Sequence, residues 1–163
     1  MRIRTGLSIG LLALLALGGT FHETASVDPT AVLGTGAYAG RHSVVGAHAQ
    51  VGDRATIGDR AVLADAAGPS TGVAVGIDSI VGARSTLAED ASIGDDVFVG
   101  RSVSIGEGAL LGSDMTVGYG AVIDPGAIVF AQTIGSLVTI GDSFIGGNVV
   151  IARGATIGDD VII

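Results

Sequence analysis

Three histidines, His22, His42 and His48, are the side chains of this chain best suited to move a proton near neutral pH. His42 and His48 stand six positions apart and are the candidate catalytic residues, because a general base must titrate near neutrality within reach of its acceptor. The remaining chemistry is bounded by what the sequence lacks. With no Cys, there is no thiolate nucleophile, no disulfide framework and no thiolate-bound zinc. All eight basic residues are Arg, so there is no lysine to form a Schiff base. A formal charge of −8 argues against nucleic acid as a partner, which calls for a basic footprint.

The elements that must position these residues follow from a six-residue period. From Val27, every sixth residue to Val129 is Val, Ile or Leu in sixteen of eighteen cases, the exceptions being Ala39 and Pro69. The next residue is Gly in twelve of the eighteen, and the residue four places on is mostly Ala, Ser, Thr or Val. Two five-residue units, Val129–Thr133 and Ile140–Phe144, shift the phase, and the period resumes at Ile145, Ile151, Ile157 and Ile163. An amphipathic helix has period 3.6, and a meander has no fixed period of six. The pattern predicts an all-β solenoid of short parallel strands, each unit sending one aliphatic and one small residue inward and turning at Gly. Its 28 glycines, 48% hydrophobic content and 4% aromatic content suit such regular tight corners. Residues 64–72 are the weakest units, with Pro69 where an aliphatic belongs. Because the phase is the same on both sides, they read as a loosened coil rather than an insertion, and no domain boundary is needed.

Units such as Ile93-Gly94-Asp95-Asp96-Val97-Phe98 and Ile105-Gly106-Glu107-Gly108-Ala109-Leu110 resemble the hexapeptide repeat of left-handed parallel β-helix proteins, over residues 27–163. The resemblance implies three units per triangular coil, so that residue n stacks on n+18, with coils about 4.8 Å apart. The stretch Ile140–Asp159 resembles the end of hexapeptide acyltransferases, which implies transfer of an acyl group from acyl-coenzyme A or an acyl carrier to a hydroxyl or amine, with His as base. Here no His follows His48, no long loop covers a substrate, and the sequence stops in mid-unit at Val161-Ile162-Ile163. The γ-class carbonic anhydrases share the fold but need three His around zinc, whereas His22 precedes the repeats and the late pair is missing. A flat Thr-x-Thr ice-binding face is also missing. The leading expectation is therefore a non-catalytic, self-assembling structural module without a cofactor; the alternative is an acyltransferase truncated at its C-terminus.

The n+18 rule then places further residues. Val44, Val62, Ile80 and Phe98 each precede an inward aliphatic, so they point outward and form one apolar stripe, an interface for the lateral trimers that the resemblance implies. His42, Arg60, Asp78, Asp96 and Asp114 fall at one corner. There Asp78, Asp96 and Asp114 would repel one another unless solvated, joined by a divalent cation, or met by an Arg of a neighbouring chain. Val161, Ile162 and Ile163 form an unblunted edge suited to end-to-end stacking into an open homo-oligomer. At the other end, Arg2 and Arg4 precede the apolar run of residues 7–17, and Ala16 and Gly18 sit as −3 and −1 of a cleavage site. Residues 1–18 thus read as an export signal or membrane anchor, which places the protein outside the cytoplasm or attached to a membrane, and residues 19–26 read as a cap.

Overall fold

The computed structural model describes residues 18–65 and 72–163, and the apolar run of residues 7–17 lies outside them. Two-residue strands repeat along the described chain and stack into three parallel sheets, the faces of a left-handed β-helix. The first face runs over eight strands from Thr20–Phe21 to Val150–Ile151, and the second over eight from Ser26–Val27 to Thr156–Ile157. The third runs over seven, from Val32–Leu33 to Phe144–Ile145. Residues 19–26 are a coil of the helix rather than a separate cap, since Thr20 pairs with Tyr38 and Ser26 with Val44.

Each strand turns its first residue out and its second in. The inward residues, such as Leu33, Ile57, Leu87, Ile105 and Ile140, are fully buried and stack on their equivalents one coil away. Beside them sit the small corner residues, among them Ala49, Ala61, Ala109 and Ala121, which leave room for the aliphatic stack. Where the small residue is Ser, its hydroxyl is hydrogen-bonded rather than idle: Ser43 Oγ donates to Gly40 O within its own corner, and Ser79, Ser85 and Ser143 bond across coils. Ser79 Oγ donates to Gly94 O at 2.8 Å and accepts from Val97 N at 3.0 Å. Ser85 and Ser143 repeat the arrangement, donating to Gly100 O and Gly158 O and accepting from Val103 N and Val161 N.

The corners follow one rule over four positions. The first is usually Gly, and the reason is close approach rather than a positive φ. A Cβ on Gly82 would lie inside contact distance of Gly100 O, and one on Gly76 would meet the backbone of Gly94. The third position is the one in the left-handed region, and it is mostly not Gly. His42, His48, Arg54, Arg60, Asp78, Arg84, Asp96 and Asp114 all have φ between 53° and 62°. Polar residues tolerate this region best among non-glycines. The N–H groups of Arg54, Arg60, Asp78, Arg84, Asp96 and Asp114 donate to the second-position carbonyl of the previous coil, as in Asp96 N to Ile77 O at 2.9 Å.

The n+18 rule fails at one place. Thr56 pairs with Ile80 and Val62 with Thr86, twenty-four positions on. Between Val62–Leu63 and Ala74–Val75 the chain thus carries six residues surplus to the coil, an insertion at the corner between the second and third faces rather than a loosened coil. Pro69, which has neither an N–H for the ladder nor an aliphatic for the axis, falls in this stretch, outside the described residues. The insertion kept the period of six intact and so left no trace in the phase. The two five-residue units behave as the sequence implies: Thr116 pairs with Thr133 and Val122 with Thr139, seventeen positions on.

Inward and outward positions alternate one residue apart, so neighbouring substitutions should differ sharply. Val81→Asp puts a charge into a fully buried site and should abolish the cooperative thermal transition and the β-rich circular dichroism. Ile80→Asp, on the exposed side of the same strand, should retain both. Likewise Gly82→Ala should cost about 1–3 kcal/mol by overpacking, against about 1 kcal/mol for Gly108→Ala, where a Cβ meets nothing within 4 Å but φ is +65°; chemical denaturation compares the two.

Candidate functional site

The insertion redistributes the residues that the sequence groups together. The apolar stripe divides. Val44 and Val62 pair on the second face, where the next residue in line is Thr86, whereas Ile80 and Phe98 pair on the first face. Ile80 is 42% exposed and Phe98 50%, so both point outward as expected, but no column joins all four. A different apolar column does form. Leu110, Ile128, Phe144 and Ile162 lie on consecutive coils of the third face, and Phe130 packs edge-on to Phe144 with ring centroids 6.1 Å apart. Its spacing, eighteen, sixteen and eighteen, is broken by the two short units, which hid it from an n+18 reading. Val161, Ile162 and Ile163 continue that face: Phe144 N donates to Val161 O at 3.0 Å and Ile163 N to Phe144 O at 3.1 Å.

The polar corner divides as well. Asp78, Asp96 and Asp114 do stack on successive coils, at the corner leading from the third face to the first, but His42 and Arg60 sit at the corner between the first and second faces. The residue that precedes Asp78 in its own column is Arg54. Its guanidinium grips the Asp78 carboxylate two-pronged, Nε to Oδ1 at 2.6 Å and Nη2 to Oδ2, although both side chains are well exposed. The hydrogen bonds from Arg54, supplemented by its charge, hold the Asp78 carboxyl below the usual carboxylate range. An Arg does therefore meet the acidic column, but it comes from the same chain. Among the described residues no three His, Asp or Glu side chains are grouped to hold a metal ion.

The histidines occupy turns. His22 Nδ1 lies 2.9 Å from Thr24 Oγ1. His42 and His48 lie on neighbouring corners, as expected from their spacing, and their backbone N–H groups donate to Thr24 Oγ1 and Thr30 Oγ1 one coil earlier. His42 opens onto a groove of about 310 Å³ that it shares with Arg41, Asp59, Arg60, Arg84 and Arg101. Composition gave no sign of this arginine cluster, because Arg60 and Arg84 become neighbours only across the insertion. A second, shallower hollow beside the third-face column includes Ile128, Ser143 and Phe144.

A left-handed parallel β-helix with Gly-x-x-small corners, stacked aliphatics and outward-facing side-chain columns defines the class of hexapeptide-repeat solenoids. Residues 90–125 and 137–163 match the family described as the hexapeptide repeat of succinyl-transferase, and the chain has the fold of the hexapeptide-repeat left-handed β-helix proteins. Among solved structures it is similar to UDP-N-acetylglucosamine acyltransferase from Campylobacter jejuni, with 18% identity over 86% of this chain and 68% of that one and a TM-score of 0.56. That likeness shows the fold. It is also similar to the acetyltransferase domain of PglB from Neisseria gonorrhoeae, at 25% identity over 87% of this chain and 55% of that one, with a TM-score of 0.38. The chain thus spans little more than half of the latter's length. No curated protein matches the sequence.

The Arg54–Asp78 pair fixes the sign of a pH effect. Because Asp78 titrates lower folded than unfolded, its contribution to stability is present above the unfolded carboxylate range and is lost as pH falls through the folded value. Carboxyl-carbon NMR titration should find Asp78 below the ordinary range in the native chain and returned to it in Arg54→Ala.

Proposed function

We propose that the protein is a non-catalytic scaffold that self-associates through the outer surface of its third face. The observation that carries this reading is the column of Leu110, Ile128, Phe144 and Ile162, in which Ile128 is 36% exposed and Phe144 42%. Isolated apolar residues on a surface are ordinary, whereas a contiguous stripe marks a contact. The occupant is a second copy of this chain, in keeping with the lateral assembly that the family resemblance implies. The stacked coils suit the role: the outward residues of one face line up coil by coil, so two copies can meet along it. The apolar run of residues 7–17 supports export or membrane attachment of this scaffold.

Acyl transfer is the second reading. It is favoured by the likeness in fold to acyltransferases and by the position of His42 in the groove beside Asp59. Under it His42 would accept the proton of the attacking hydroxyl or amine, and acyl-coenzyme A or an acyl carrier would be the donor.

Sedimentation equilibrium separates the readings. The native chain should sediment at a discrete multiple of its own mass, and Ile128→Asp with Phe144→Asp should lower that mass while the circular dichroism is retained. Ile80→Asp with Phe98→Asp, on the first face, should leave the mass unchanged. A native chain at the mass of one copy overturns the scaffold reading. Thiol release from acetyl-coenzyme A that vanishes in His42→Ala would establish the second reading in its place.

A further inference from the structure

We infer that the corner between the first and second faces binds an acidic oligosaccharide, one anionic sugar residue to each coil. This goes beyond the scaffold reading and does not depend on it. Charge on this acidic chain is segregated by corner. Six arginines are described, and four of them, Arg41, Arg60, Arg84 and Arg101, line the same groove, with His42 beside them. Among the described residues none of these four guanidinium groups takes part in an ion pair, whereas Arg54, at another corner, is committed to Asp78. The carboxylate that lies within the groove is occupied with the backbone: Asp59 Oδ1 accepts from Arg41 N–H at 2.8 Å.

A second feature of the groove is a run of backbone donors without side-chain caps. The N–H of many second-position residues is capped by a side chain of the next coil, that of Arg41 in this groove among them, though those of Asp53 and Ser113 at another corner are not. Thr35 N donates to Asp53 at 2.7 Å, Ile77 N to Asp95 at 2.7 Å and Asp95 N to Ser113 Oγ at 3.1 Å. In the groove the capping position is taken over three successive coils by Ala83, Arg101 and Tyr119, none of which can cap as Asp does. Among the described residues nothing accepts from the N–H of Asp59, Ala83 or Arg101. The corner therefore presents three uncapped backbone donors together with four guanidinium groups, with Asp59 as the one carboxylate lining the groove.

The spacing selects the ligand. His42, Arg60 and Arg84 occupy the same corner position on three consecutive coils, with Arg101 on the next, and the coils recur about every 4.8 Å. A linear glycan with a carboxylate or sulfate on each sugar advances by a comparable distance per residue, and guanidinium pairs with either anion through two parallel hydrogen bonds. One coil beyond Arg101 stands Tyr119, 57% exposed, an amphipathic ring suited to the apolar face of a sugar. A nucleic acid strand fits less well, since its bases need a series of aromatic platforms, where this corner has one.

Calorimetric titration of the full chain at low salt tests the inference, with tetragalacturonate as the carboxylate probe and a size-matched dextran sulfate as the sulfate probe. Maltotetraose is the neutral control and oligothymidylate the nucleic acid control. One or both acidic glycans should bind, the better one identifying the anion, and maltotetraose should not. Arg60→Ala with Arg84→Ala should weaken binding at least tenfold, Tyr119→Ala several-fold, and Arg54→Ala, at the acidic corner, not at all. Retained circular dichroism confirms that each variant is folded. The inference is overturned if neither acidic glycan binds, if Arg54→Ala weakens binding as much as the paired variant, or if oligothymidylate binds as tightly.

Discussion

Adjacent coils of this helix are held at the separation of hydrogen-bonded strands, and almost every other feature adapts to that spacing. The axis admits one aliphatic and one small side chain per face and coil, so buried positions alternate between residues such as Leu111 and Ala109. At the corners the same spacing brings backbone onto backbone, which excludes a Cβ at Gly76 or Gly82. The turn itself is made two residues later, in a left-handed conformation that His, Arg, Asp and Asn accept. Glycine in this chain thus serves mainly contact between coils, while the residues at the left-handed position are free to vary and to carry charge.

That freedom gives the corners their chemical character. Each third-position side chain is held at a fixed step from the next, so a run of like residues becomes a charged ridge. The acidic ridge of Asp78, Asp96 and Asp114 begins at Arg54, which neutralises its first member through paired hydrogen bonds. The opposite sign collects at the corner of Arg60 and Arg84, around a groove of about 310 Å³. Asp at the second position has another task, capping an N–H of the previous coil, as Asp53, Asp59 and Asp95 do. The acidity of the sequence is therefore partly structural. Carboxylates that close corners raise the negative count without forming a binding surface.

The six surplus residues have the largest consequence for the surface. They leave the hydrogen-bond ladder intact on both sides, because Ile57 still meets Val81 and Leu63 still meets Leu87. What changes is which outward residues share a column. Val62 is separated from Ile80, and Arg60 is brought to Arg84 instead of Asp78. The short units near Val129 and Ile140 act in the same way on a smaller scale, aligning Ile128 with Phe144.

The period of six, the inward aliphatics and the strand-and-corner alternation were legible in the sequence, because each unit reports its own local constraint: an aliphatic for the axis, a small residue beside it, a Gly for close approach. The fold class follows from those constraints alone, and so does the direction of each side chain, inward for Val81 and outward for Ile80. The columns were not legible, since they depend on the length of every coil between two residues. A unit that leaves the ladder without altering the phase is invisible to periodicity, and Pro69 was its main local sign. Tertiary structure alone decided that His42 and Arg60 stand with Arg84 and Arg101, that Asp78 meets Arg54, and that Ile128 and Phe144 share a face, because strand pairing across coils, rather than separation along the chain, determines which side chains become neighbours.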